Sequence, residues 1–451
     1  MSAKNQFATQ KGQPMDVMID DALARGGAGR FQARLMGIFG LVWTADAMQV
    51  IAIGFSAASI AATFGMEVRD ALLTGTLFFL GMFIGASVFG RVADRIGRRN
   101  VLLLTVACEA VFGVLSAFAP SFGLLCAFRL LTGVAVGGTL PVDYAMMAEF
   151  LPPKSRGRWL VWLEGFWAVG TIIVALTAWL ASLSGVEEAW RYIFFVSSIP
   201  ALVGIFVRWW VPESPMFLLR NGRDAEARQV IAKVLSVNGA PPLSDGVRIV
   251  PPPSESLPQG IFSPVLRTRT FAILAVWFLV SLSYYGVFVW LPPQLAAGGF
   301  GFVRGYGFLV LMAFAQIPGY ALAAYGVEKW GRRPTLQLFL LLSALGCFMF
   351  TVATSGALVA ISLLLMSFAL LGTWGALYAF TPELYPTGLR GTGMGTASAI
   401  ARVGGLLAPS MLGAVIAQGF GIAIGLFAGL LVLAAVATLM IRVETRNLSI
   451  G

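Results

Sequence analysis

The 451-residue chain has no histidine, which removes the commonest group titrating near neutral pH and rules out a His-based triad or a His metal site. Cysteine is scarce: Cys108, Cys126 and Cys347 lie in apolar stretches with neither metal-ligand nor paired spacing, and read as small core residues. No GxxxxGK phosphate loop is present. The GxGxG run at 391–395 opens an apolar helix without the preceding strand that a dinucleotide fold needs. An enzyme would therefore lack its machinery, and no cofactor and no metal are expected. Charge is also sparse, at 12% of residues against 58% hydrophobic. That balance is far too apolar for a water-soluble domain of this length.

What the chain does have is apolar stretches of about 20 residues, the length a helix needs to cross the hydrocarbon core. They fall near 36–60, 71–90, 101–120, 122–146, 158–182, 190–210, 270–292, 305–327, 335–354, 356–379, 392–417 and 420–441. Twelve spans predict an all-α integral membrane protein in two six-helix halves. The expected organisation is a tail (1–33), an N-terminal bundle (34–210), a linker loop (211–269), a C-terminal bundle (270–441) and a second tail (442–451).

An even number of spans puts both termini on one side. Almost all of the 31 Lys and Arg collect there, whereas the opposite loops hold only Arg69, Arg191 and Arg304. This bias predicts cytoplasmic termini and a multi-pass position in the inner cell membrane. It also accounts for the net charge of +10 without nucleic acid. The polar residues 1–33 contain no apolar signal region and are expected to be disordered. The linker carries an amphipathic helix at 223–236 and a Pro-rich run from Pro241 to Pro258.

A single offset of 234 residues relates the halves. It carries Asp94 to Glu328, Arg98 to Arg332, Glu149 to Glu383 and Arg156 to Arg390. Two units repeated in this way suit a rocker that exposes a central site to each side in turn.

The residues also carry a resemblance. GRVADRIGRR (90–99) and VEKWGRR (327–333) resemble the duplicated loop of the major facilitator superfamily. RLLTGVAVGG (129–138) resembles its Arg-plus-glycine motif of span 4, and VPESPMFLL (211–219) the Pro-Glu-Ser motif that ends span 6. ADAMQV (45–50), residues 140–170 and residues 382–409 are most similar to the synaptic-vesicle-protein and nicotinate-transporter branch, related to organic anion and cation transporters. Two positions depart from the pattern. Ala135 replaces the usual middle glycine of the span 4 motif, implying a looser helix approach. Gln49 stands where the branch often has a second acid, three residues after Asp46.

Charges inside spans are costly and are functional candidates by default. Asp46 and Arg402 fall near the middle of spans 1 and 11, on helices that line the central cavity in the family, and are candidates for proton coupling and substrate binding. Arg129 in span 4 is placed to pair with Asp46, for coupling or for structure alone. Asp143 and Glu164 lie at similar depth on spans 4 and 5, as a proton relay or as structurally bonded groups. Glu109 belongs to peripheral span 3, and a structural partner is expected for it.

Trp167, Tyr284, Tyr285, Gln316 and Trp374 lie at cavity depth, to stack on a flat substrate, to bond to it, or simply to pack. The set Asp94, Arg98, Glu149, Arg156, Glu328, Arg332, Glu383 and Arg390 reads as a latch whose pairs form between the halves in one conformation. The resemblance implies a monomeric secondary transporter with protons and a small molecule as its partners in the lipid bilayer. Relatives that carry anions place Arg at the position of Arg402, in the context ARVGG. The expected substrate is a small aromatic carboxylate such as nicotinate or a benzoate. The alternatives are a sugar or polyol taken up with protons, or export of organic cations. A membrane receptor or scaffold without transport is the other class, and the cavity charges argue against it.

Overall fold

Backbone polar groups facing lipid must be satisfied within their own segment, which leaves the helix as the element open to apolar stretches of this length. The computed structural model describes residues 15–208, 210–244, 246–251, 260–297, 306–386, 389–416 and 420–445. A strand β1 (Met15–Met18) and a helix α1 (Ile19–Gly26) precede the N-terminal bundle. That bundle comprises α2 (Arg30–Phe64), a short α3 (Val68–Ala71), α4 (Leu73–Ile96), α5 (Arg98–Ala117), α6 (Phe122–Glu149), α7 (Arg156–Leu183) and α8 (Ala189–Arg208). The linker holds α9 (Pro215–Arg220), α10 (Asp224–Val237) and a strand β2 (Val247–Val250). The C-terminal bundle comprises α11 (Arg267–Ala297), α12 (Tyr306–Lys329), α13 (Arg332–Thr351), α14 (Gly356–Phe380), α15 (Arg390–Ile416) and α16 (Phe420–Leu439).

Among the described residues, ten stretches are long and apolar enough to cross a membrane. Helices α8 and α15 take the places expected for spans 6 and 11. The all-α, two-bundle membrane architecture is therefore the one expected.

Within the first half, α4 and α6 meet backbone to backbone. A Cβ on Gly81 would lie 2.2 Å from the Leu130 carbonyl oxygen, and one on Gly85 2.0 Å from that of Val134. From the other side, Gly133 and Gly137 face the carbonyls of Phe78 and Met82 at 2.1 Å each. This is the close approach that small residues permit between membrane helices. Ala135 does not loosen it, because two residues along a helix turn a side chain to the far face, and the seam runs through Gly133 and Gly137 on either side.

Between the halves, α2 packs on α11, α4 on α15, and α7 on both α12 and α14. Helices α5 and α8 pair with each other at one edge, and α13 and α16 at the other.

The segment expected to be disordered is folded from residue 15 onward. Its apolar residues Ile19, Ala22 and Leu23 share one helical face and are buried, with α1 packed on α10, whose own buried stripe is Ala227, Ile231, Val234 and Leu235. Strand β1 pairs in parallel with β2, Met15 opposite Val247 and Met18 opposite Val250. Asn238, just beyond α10, joins the pieces. Its Oδ1 accepts from the Phe31 amide at 2.9 Å, and its Nδ2 donates to the carbonyls of Gly26 and Gly27 at 3.2 Å and to Gln32 Oε1 at 2.8 Å.

The glycine seam gives a first prediction. Gly85→Ala should cost about 2 kcal/mol by overpacking, whereas Ala135→Gly should cost no more than the ~1 kcal/mol of helix propensity. Thermal melts of the two purified variants check the order.

Candidate functional site

Arg402 on α15 is 2% exposed, and its Nη1 donates to the Tyr285 hydroxyl at 2.7 Å. Tyr285 neighbours Tyr284 on α11, and the Tyr284 hydroxyl accepts from Trp167 Nε1 of α7 at 2.8 Å. Trp374 of α14 stands edge-on to Tyr284, with centroids 5.8 Å apart. These groups, with Glu164, Leu371 and Tyr378, enclose a cavity of about 10 Å³, roughly room for one water. Both halves supply its wall. Three polar atoms of this wall are buried without a hydrogen-bond partner: Arg402 Nε, Trp374 Nε1 and Glu164 Oε2.

Five of the expected residues thus come together: Arg402, Trp167, Tyr284, Tyr285 and Trp374. Glu164 joins them, facing the cavity where the charge of Arg402 acts on it. Asp143 is buried on α6 and is not part of this wall. Asp46 is fully buried on α2, and its charge also reaches Arg402.

Gln316 is separate. It lies in a different pocket with Ile51, Phe55, Thr171 and Phe288, and both its amide atoms are buried and unpartnered. The aromatic box is also larger than the sequence reading had it. Trp277 stacks edge-on to Tyr378 at 4.8 Å, and Tyr378 meets Trp43 at 5.5 Å and Tyr144 at 5.0 Å. Helical spacing carried the signal for two of these, since Tyr378 is four residues after Trp374 and Trp277 seven before Tyr284.

The expected Arg129–Asp46 pair is replaced by another arrangement. Arg129 Nη1 donates to Gln49 Oε1 at 2.5 Å and Nη2 to the Gln49 carbonyl at 2.7 Å, while Gln49 Nε2 donates to Ser198 Oγ at 3.2 Å. The rings of Phe78 and Phe194 cover the guanidinium at 4.4 and 4.5 Å. Glu109 on α5 is the acid whose charge acts on it. Position 49, which departs from the resembled branch, is therefore the residue that binds this arginine.

In this structure the members of the expected latch that pair with one another do so within each half. Arg98 pairs with Glu149, which also accepts from Ser214 Oγ. In the repeat, Arg332 grips Glu383 with Nε at 2.9 Å and Nη2 at 3.1 Å. The Glu213 carboxylate accepts from the Arg99 amide at 3.2 Å, and the Glu444 carboxylate from the amides of Arg332 and Arg333 at 2.9 and 3.1 Å. Each acid meets the positive N-terminal end of a helix, α5 or α13.

Across the halves, Arg332 and Glu328 approach the bare Cα of Gly157 at the start of α7, 2.8 and 3.5 Å from where a Cβ would stand. Arg156 pairs with Asp20 of α1 at 3.1 Å, and Arg390 Nε donates to the Pro382 carbonyl at 3.1 Å. The side chain of Asp94 lies outside the described residues.

The arginine cage gives a second prediction. Gln49→Leu strips a buried guanidinium of a ligand and should destabilise the protein by about 3 kcal/mol, whereas Gln49→Glu, which supplies a carboxylate, should not. Comparing melting temperatures of these variants with Asp46→Asn tests whether Gln49 or Asp46 holds Arg129.

The Major Facilitator Superfamily family model matches residues 36–409 and, again, 297–449. The niacin transporter NiaP of Acinetobacter baylyi (strain ATCC 33305 / BD413 / ADP1) is 33% identical over 382 residues, covering 84% of this chain and 86% of that protein. The synaptic vesicle 2-related protein of Xenopus laevis is 28% identical over 450 residues, covering 95% and 81%. Among solved structures, the proton:xylose symporter XylE bound to 6-bromo-6-deoxy-D-glucose has a TM-score of 0.75 over 93% of this chain and 97% of its own, at 18% identity, a likeness of fold alone. Carrying the motifs, the two six-helix bundles and a family match over most of its length, the chain belongs to the major facilitator superfamily of membrane transporters.

Proposed function

We propose that this transporter takes up a small aromatic carboxylate, such as nicotinate or a benzoate, together with protons. It does so as a monomer in the inner cell membrane, with both ends in the cytoplasm. The observation that carries this reading is Arg402: a guanidinium buried in an aromatic box, with the hydroxyls of Tyr285 and Tyr378 bonded to it and its Nε unpartnered. The planar fork of arginine matches a carboxylate, and the faces of Trp167, Tyr284 and Trp374 suit a flat ring. The relative named as a niacin transporter supports the same substrate class.

Coupling follows from charge. In the closed cavity Glu164 balances Arg402. An arriving carboxylate sets two anions against one cation, and like charges at close quarters disfavour joint ionisation. Glu164 then takes up a proton as the substrate binds, and Asp46 shares the task through its own reach to Arg402. Rocking of the halves about the cavity exposes it to one side and then the other. Arg129, caged by Gln49, keeps its charge through the cycle and serves the packing of α2 on α6.

Arg402→Ala should lose a charge-assisted, bidentate contact worth roughly 1.5–3 kcal/mol, about ten- to a hundredfold in affinity for benzoate. Arg402→Lys should keep only part of it. Titration of benzoate and benzamide against the three proteins decides the matter. Benzamide binding the parent as tightly as benzoate would sink the anionic reading in favour of a neutral sugar-like substrate, and tighter binding of an organic cation would favour export.

Glu164→Gln should abolish benzoate accumulation driven by an inward proton gradient in proteoliposomes while leaving counterflow exchange intact. Accumulation that survives the substitution would remove Glu164 from coupling.

A further inference from the structure

A second cavity, of about 370 Å³, opens between the halves on the face that carries the tail and linker. Arg156 and Arg390, repeat-related residues at the starts of α7 and α15, stand in its wall, one from each half. Of the other charges around it, Glu149 holds Arg98 and Glu383 holds Arg332, while Arg220 of α9 also stands in the lining. Arg156 is 9% exposed. Its Nη2 binds Asp20 Oδ1 at 3.1 Å and the Leu151 carbonyl at 3.1 Å, and its Nε has no partner. Nη2 of Arg390 is buried and unpartnered, and the charge of Asp20 acts on it. Glu383 and Glu149 also act on Arg390, each being held by an arginine of its own half, and a third carboxylate, the one bonded to Arg156, belongs to neither bundle. It comes from α1, which β1 and Asn238 tie to the linker.

The geometry points to a second carboxylate site in this vestibule, formed by Arg156 and Arg390, in which Asp20 of the N-terminal helix is a tethered occupant that a carboxylate leaving the central cavity displaces. This deepens the carboxylate reading given above and rests on it. Arginines at the same position of each half can grip one anion only when the halves are as close as they are here, so an anion between them favours this arrangement. Asp20 provides it permanently, at the high effective concentration of a tethered group. A free carboxylate has to compete with it, and by competing frees α1 from the face it covers. The site therefore senses the compound that the central cavity has just released.

Benzoate titrated into the full-length protein in detergent is the probe, in an Arg402→Ala background that silences the central anchor. Adding Asp20→Asn should raise benzoate affinity about tenfold or more, as removal of a tethered competitor predicts. Asp20→Glu should leave the site masked, and Arg390→Gln on top of Asp20→Asn should return affinity to its starting value. Benzamide should show none of these changes. Melting curves identify any variant that fails to fold, and Asp20→Asn is nearly isosteric. Unchanged benzoate affinity in Asp20→Asn, or an equal gain for benzamide, overturns the proposal. The Asp20 comparison is made within one background, so its outcome stands apart from that of the Arg402 series. Failure of the anchor reading shows instead as Arg402→Ala binding benzoate as tightly as the parent.

Discussion

A guanidinium taken out of water needs its charge and its five donors answered by something, because neither lipid nor apolar side chains will do so. Three arginines of this transporter meet that constraint in three ways. Arg129 is answered at both terminal nitrogens by permanent groups, an amide side chain and a backbone carbonyl, with two aromatic faces and the charge of Glu109 around it, and only its Nε is left unpartnered. Arg402 is answered in part, by two tyrosine hydroxyls and by two acids acting at a distance. Arg156 is answered by a carboxylate on a separate short helix. Their surroundings separate their roles. Arg129 and Arg402 each keep an unpartnered Nε, but only that of Arg402 belongs to a residue lining a cavity.

The cage around Arg129 also explains how a neutral residue serves at position 49. One glutamine accepts a hydrogen bond from each terminal nitrogen, at its side-chain oxygen and at its backbone carbonyl, and the phenyl faces add cation–π attraction without adding an acid. A carboxylate there would be a further titrating group beside Asp46. With an amide in its place and no histidine in the chain, the proton coupling proposed above would rest on the acids near Arg402.

The architecture was legible because hydropathy, loop charge and the repeat each report on the bilayer, and all three agreed. The central site was legible in its members but not in its pairings. Depth along a helix can be counted, so Arg402, Trp167, Tyr284, Tyr285 and Trp374 were found. Azimuth between neighbouring helices cannot be counted, so Arg129 was matched to Asp46 instead of Gln49, and Glu164 was not matched to Arg402. The order of residues 15–29 was hidden for a different reason. The apolar face of α1 is only three residues wide and is completed by α10, some 200 residues away, and by a single asparagine beyond it. No local window contains both parts.

The repeat divides the molecule into what transport duplicates and what it must not. At an offset of 234 residues the ion pair Arg98–Glu149 recurs as Arg332–Glu383, and Arg156 recurs as Arg390. The same offset carries α6 onto α14 and α7 onto α15, yet Arg129 falls on Leu363, Glu164 on Ser398 and Trp167 on Ala401, while Arg402 falls back on Ala168. A rocking movement of two similar bodies is governed by equivalent contacts at equivalent places, so the residues that govern it gain from symmetry. A small molecule with one charged end and one flat face has no such symmetry, and a cavity lined equally from both sides would offer it two half-sites. Breaking the repeat puts the cation on α15 and the acid on α7, at opposite walls of one cavity. On the proposed reading, this asymmetry is what would give a bound carboxylate a single orientation and a proton a separate acceptor.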